Sequence, residues 1–391
     1  MARRSRSSGR RAERGASVTE YGAAVVLAAV ILGGLAATDI PGNVARACQD
    51  ALCRLTGGTD CAKAGPAVAP KVYPPDYDRD PDKSERPKPV RPPITPPACA
   101  DPDADIAWAE GLHAHNDYQN GDPLDDALKH GATGVETDVK YDPDTGHLRN
   151  THIDYVSPPS GSLRSEYVEP LKERAEKNGG KIYPGRDEKF QLVVENKGKG
   201  SEEERREAYD QILEQTKDLP EDVELVISGG RPKDEYTVGN HPENVTFDKA
   251  PDEGCQLPDK INIDSPKYDP EYAKSFSTLN GEWGKGKCGD PDGDNKISDE
   301  EQAELDRLVD QAHRSGVKVR FWGGPDEQYR SEVGDGHFVP CQGWAAPGRQ
   351  ECEKAARKDA WKAQQKAGVD FVNTNHLGNG ERWVRSCGEE M

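Results

Sequence analysis

The sequence predicts a parallel α/β barrel of the (β/α)₈ type, and three observations predict it. From residue 99 onward, short apolar runs alternate with helical segments, the mark of parallel strands joined by helices. Eight strand candidates fit in that stretch, the number that closes such a barrel. Ionisable residues collect at the ends of the first three candidates, where a barrel of this kind carries its site. The strands are expected at 111–115, 134–139, 190–195, 223–228, 245–248, 260–264, 317–322 and 369–374. The fifth and sixth show the least pattern, and without them a doubly wound sheet is the alternative. Three helices stand out between the strands. Residues 123–130 place Leu124, Ala127 and Leu128 on one face and stop at Gly131. Residues 201–216 open on Ser201 and a run of acids, which suits a helix N-terminus. Residues 301–314 align Leu305, Leu308, Val309 and Ala312 in a stripe that ends at Gly316.

The whole chain has 391 residues and a formal net charge of −19. That charge argues against nucleic acid as a partner, which calls for a basic face. Only 33% of residues are hydrophobic, and no more than one segment could span a bilayer, which excludes a polytopic membrane protein. The 9 cysteines are scattered without paired CxxC spacing, so disulfides in an exported protein are expected rather than a zinc site.

The region before the barrel divides into four. Residues 1–15 form a basic leader with Arg3, Arg4, Arg6, Arg10, Arg11 and Arg14 against Glu13. Residues 16–38 form a hydrophobic signal or transmembrane segment, its uncharged run from Tyr21 to Thr38 just long enough to cross a bilayer core. The arginines then stay cytoplasmic and the rest lies extracellular or at the cell surface, anchored or secreted. The run Gly15-Ala16-Ser17-Val18-Thr19-Glu20-Tyr21 resembles the type IV prepilin and Flp-like signature, which implies cleavage after Gly15 by a prepilin-type peptidase. Residues 39–63 hold Cys48, Cys53 and Cys61, and residues 64–98 are a proline-rich linker too extended to pack a core.

At the expected strand ends the chemistry gathers. The first ends His113-Ala114-His115-Asn116-Asp117-Tyr118, the second Glu136-Thr137-Asp138, with His152 following, and the third Glu195-Asn196-Lys197. Alternation along a strand puts Glu136 with Asp138, and Glu195 with Lys197, on one face. Three converging carboxylates call for a hard divalent cation held by oxygen. Two histidines beside it supply a general acid and a general base near neutral pH, and Lys197 a positive charge for a phosphate. Such a set suits phosphoryl transfer.

These residues resemble the PLC-like phosphodiesterase superfamily, which includes glycerophosphodiester phosphodiesterases and sphingomyelinase D-type phospholipases. The resemblance rests on Ala114-His115-Asn116, Gly131-Ala132-Thr133-Gly134-Val135-Glu136-Thr137-Asp138-Val139, His152 and Val193-Val194-Glu195-Asn196-Lys197, over about residues 108–385. It implies a TIM barrel with His115 and His152 as catalysts and with Glu136, Asp138 and Glu195 holding one Mg²⁺ or Ca²⁺. Lys197, Trp322 and Asn375 are implied at a phosphodiester or phospholipid substrate. His113 is the alternative to His115. The His-Arg-Gly opening of common glycerophosphodiesterases is absent, and His-x-His-Asn-Asp-Tyr is similar to the altered-inheritance-of-mitochondria branch. The implied activity is hydrolysis or intramolecular transfer at a phosphodiester bond. The rival reading is a cell-surface calcium-binding or pilus-associated protein with a non-catalytic barrel.

Residues 290–301 match an EF-hand calcium loop, with Asp290, Asp292, Asp294, Lys296 through its carbonyl, Ser298 and Glu301 at the ligand positions. Asn295 stands where glycine is usual, and no clear entering helix precedes the loop. Among the cysteines, Cys341 with Cys352 is the expected bridge over the loop after the seventh strand. Cys255 with Cys288 is the next, and Cys99 with Cys387 would tie the barrel ends, although spacing alone does not fix connectivity.

Overall fold

A computed structural model of the chain describes residues 89–97, 105–142, 147–150, 161–198, 200–284, 286–325 and 349–391. The chain divides into Met1–Glu85 and Arg86–Met391, and the described residues all belong to the second unit. The expected leader, apolar run and first three cysteines lie outside them, as do His152, Cys99 and Cys341. Among the described residues no helix is long and apolar enough to cross a membrane.

The strands are β1 (Leu112–Ala114), β2 (Gly134–Asp142), β3 (His147–Asn150), β4 (Phe190–Asn196), β5 (Val223–Gly229), β6 (Val245–Lys249), β7 (Phe276–Glu282), β8 (Lys318–Trp322) and β9 (Val372–Thr374). Eight of them pair in parallel in the order β8-β7-β6-β5-β4-β2-β1-β9, and β3 folds back antiparallel on β2. A parallel bridge between Arg320 and Phe371 brings β8 to the strand entering β9 and closes the barrel. Helices α1 (Asp125–Lys129), α2 (Glu169–Lys177), α3 (Glu202–Thr216), α4 (Asp234–Thr237), α5 (Pro270–Ala273), α6 (Asp299–Arg314), α7 (Arg349–Ala367) and α8 (Leu377–Arg385) link or follow the strands.

Local sequence accounts for the helix ends. Ser201 caps α3 and Ser298 caps α6, each in a reciprocal box with the glutamate three residues on. The second cap starts α6 at Asp299, ahead of the expected residue 301, because Ser298 satisfies the first amide groups. The core lies between the outer face of the strands and the helices. Val135, Val139, Leu192, Val194 and Val319 are buried there with Leu305, Leu308 and Val309 of α6. Each such side chain, fully buried, contributes about 1.5–3 kcal/mol.

The expected strand at 260–264 does not form. The chain turns there, with the amides of Ile261 and Asn262 donating to the Pro258 carbonyl at 3.0 and 3.1 Å. Ile261 and Ile263 imitate strand alternation, but Asn262 and Asp259 bond locally to Asp264 N and Ser265 Oγ, and favour turns over a ladder. The sixth barrel position belongs to β7, whose inward residues are polar. Gln191 Nε2 donates to Thr278 Oγ1 at 3.2 Å across the lumen. A polar lumen removes the apolar signal by which a strand is read.

Candidate active site

The histidines of β1 are set by its two parallel neighbours. His113 lies opposite Gly134 of β2 and Asn373 of β9. A β-carbon at residue 134 would come within 2.6 Å of the His113 ring, so glycine is what lets the imidazole lie across the lumen. His113 Nδ1 is 3.0 Å from Asn373 Oδ1, and His115 Nδ1 is 2.9 Å from Asn375 Oδ1. An amide oxygen only accepts, so each ring donates from Nδ1 and turns Nε2 inward. The chain then bends at Asn116, in the left-handed region at φ 49°, and Asp117 holds the turn by accepting from Leu124 N at 2.6 Å. Tyr118 thereby reaches over the mouth and donates to Asp138 Oδ2 at 3.0 Å.

Glu136 and Asp138 on β2 and Glu195 on β4 each offer a carboxylate oxygen within 4.8 Å of the others. Register brings this about, because Asp138 lies opposite Glu195. Two cations attend the three carboxylates. Lys197 Nζ is 2.8 Å from Glu195 Oε1 and 3.5 Å from Asp138 Oδ2. Arg320, 1% exposed, ion-pairs with Glu136 Oε2 through Nη1, which also lies 3.5 Å from His113 Nε2. The other oxygen, Glu136 Oε1, is 3.6 Å from His115 Nε2.

These contacts set the protonation states. Burial works against ionisation of Glu136, but Arg320, His115, His113 and Lys197 outweigh it and hold its carboxyl below the usual carboxylate range. Burial and the adjacent Glu136 charge push the Glu195 carboxyl up. Burial also opposes the Lys197 charge, yet Asp138 and Glu195 raise its pKa, so it stays an ammonium. His113 is driven well below its ordinary value by burial and then by Arg320, which leaves it neutral with Nε2 free to accept from the guanidinium. Three hard oxygen donors within reach of one another fit a divalent cation such as Mg²⁺ or Ca²⁺.

The expected site residues thus divide. The structure brings His115, Glu136, Asp138, Glu195 and Lys197 to one mouth. Trp322 ends β8 two residues past Arg320, on the same strand face by alternation, and is half-buried. Asn375 accepts from the His115 ring and so orients it at the same mouth. Sequence reading missed Arg320, Asn373 and Asp248. Asp248 is held in the lumen by Ser228 Oγ at 2.6 Å and Asn280 Nδ2 at 2.8 Å. The available signal was the period of two: Arg320 stands two before Trp322, and Asn373 two before Asn375.

Residues 103–199 match the AIM6-like phosphodiesterase domain. Over 300 residues the chain is 24% identical to altered inheritance of mitochondria protein 6 of Eremothecium gossypii, covering 70% of this chain and 69% of that protein. Among solved structures it is similar to a glycerophosphodiester phosphodiesterase from Parabacteroides distasonis, at 14% identity and a TM-score of 0.36, over 73% of this chain and 100% of that one. It is also similar to an Oleispira antarctica phosphodiesterase solved with its product sn-glycerol-3-phosphate, at 15% identity and a TM-score of 0.35, over 70% of this chain and 94% of that one. The domain match spans His115, Glu136, Asp138, His152, Glu195 and Lys197, and it supports a phosphodiester hydrolase.

Proposed function

We propose that the barrel is a divalent-ion-dependent phosphodiesterase acting on a glycerophosphodiester or phospholipid-type substrate outside the cytoplasm. The observation that carries this reading is the convergence of Glu136, Asp138 and Glu195 with His115 and Lys197 at one mouth. The three carboxylates would hold one Mg²⁺ or Ca²⁺, which when bound draws charge from a phosphoryl oxygen. Lys197 offers a second positive charge to the phosphate. His115, its Nδ1 fixed by Asn375, offers Nε2 to a proton at the reacting oxygens. His152 would take the opposite role, so that one ring receives the proton of the attacking hydroxyl and the other gives one to the leaving alcohol. That hydroxyl is water in hydrolysis or a substrate group in intramolecular transfer.

A disulfide between Cys255 and Cys288 favours an exported location, and the apolar run at 21–38 would anchor or direct the chain to the membrane. A panel of phosphodiesters, assayed with and without EDTA and read by product mass, tests the function. Turnover should stop on chelation, and Glu136→Gln or Glu195→Gln should each abolish it. Wild-type turnover that survives exhaustive chelation would overturn the ion-dependent mechanism, and no turnover of any diester would favour a non-catalytic barrel.

A further inference from the structure

The connection between β7 and α6 carries a second acidic cluster. Asp290, Asp292 and Asp294 each present a carboxylate oxygen within 4.8 Å of the others. Amides of the loop orient them: Gly293 and Asn295 donate to the two oxygens of Asp290 at 3.0 and 3.1 Å, and Lys296 donates to Asp294 at 2.7 Å. Asn295 adopts φ 64°, the left-handed turn for which a calcium loop usually employs glycine. The nearby ammonium of Lys287 is engaged elsewhere, 3.0 Å from Glu282.

An independent observation comes from Glu301, which is 9% exposed. Its Oε2 accepts from Ser298 N and Oγ, both at 2.8 Å, in the α6 cap. Its Oε1 is buried and, among the described residues, has no hydrogen-bond partner. That carboxylate is close enough to Asp290, itself buried, to repel it electrostatically. A buried carboxylate oxygen without a donor is costly. One facing a second carboxylate is best relieved by a cation. The donors are all hard oxygens, which suits a divalent ion.

We propose that residues 290–301 bind one calcium ion through Asp290, Asp292, Asp294, the Lys296 carbonyl, Ser298 and Glu301, and that this ion pins the start of α6 to the end of β7. The connection reaches the barrel mouth by direct contacts. A β-carbon at Gly289 would lie 2.2 Å from the Trp283 ring, so the loop packs straight onto that indole. The Trp283 amide in turn donates to the Trp322 carbonyl at 2.8 Å. Ion binding at the loop therefore braces the edge of the mouth that Trp322 ends. The site shares no ligand with the barrel triad.

Thermal melting of the full chain in EGTA and in about 10 mM calcium tests it. At roughly a hundredfold excess over a weak extracellular-type Kd, the wild type should melt roughly 5 °C higher in calcium. Placed on top of Glu136→Gln, which takes a ligand from the barrel triad, Asp292→Asn, at an exposed position, and Glu301→Gln, which keeps the capping box, should each abolish the shift. Glu136→Gln alone should retain it. A wild-type melt indifferent to calcium overturns the proposal, as does a shift that Asp292→Asn leaves intact in that background or that Glu136→Gln alone removes.

Discussion

At residue scale, the charge on Glu136 depends on Arg320. A buried guanidinium meets one carboxylate oxygen and His115 faces the other. Removing one member of a buried ion pair strands its partner, at a cost of about 3–5 kcal/mol. Arg320→Met should therefore lower stability by that amount in urea titrations with EDTA. Magnesium should restore part of the loss, because a divalent ion on the carboxylates replaces the missing positive charge. An equal loss with and without magnesium would show that Glu136 does not take part in holding the ion. His113 makes a second residue-level prediction. Burial depresses its pKa, so below about 6.5 the unfolded chain binds a proton that the folded barrel refuses. Its contribution is fully present above that pH and is lost as the pH falls toward the folded value. His113→Gln should flatten the decline in stability just below 6.5, as read from urea midpoints against pH, whereas an unchanged slope would assign the decline to other groups.

At the scale of elements, the disulfide between Cys255 and Cys288 ties the connection after β6 to the one after β7, with Cα atoms 5.3 Å apart across 33 residues of sequence. Replacing both cysteines by serine should cost about 2–4 kcal/mol, measured by urea unfolding under non-reducing conditions. A smaller loss would mean that Trp283 packing and local turns already hold the segment. Cys352 is also disulfide-bonded. Elements with an apolar stripe facing the strands and a clear cap, such as α3 and α6, were legible in the sequence because local chemistry alone specifies them. Strand β7 was not, since Thr278 and Asn280 face a polar lumen and Ile261 and Ile263 offered a better imitation of a strand. The same holds for the site. Glu136, Asp138 and Glu195 share short segments and can be read by alternation. Arg320 and Asn373 arrive from the far end of the chain, and only register across the barrel seam brings them to His113.

At the scale of the molecule, residues 89–97, the end of the expected linker, lie along the foot of the barrel, opposite the mouth. Arg91 Nη1 donates to the carbonyls of Phe276 at 2.5 Å and Ala273 at 3.2 Å, Nη2 donates to Lys274 at 2.5 Å, and Ile94 N donates to His313 O at 3.0 Å. Moving the start of the chain from residue 86 to residue 98 should cost about 2 kcal/mol or more, since charged hydrogen bonds contribute about 1.5–3 kcal/mol each. Equal melting of the two truncations would show that the strap adds nothing.

The Arg91 clamp also decides where tension would go. If the chain is pulled from its amino-terminal side, the load arrives first at a guanidinium spread over the carbonyls leading into β7. It does not arrive at β1, the three-residue strand that holds His113 and leads into His115. A protein held by its leading end in flowing or growing surroundings would yield at this strap first, while the alignment of His115 with Glu136 stays slack.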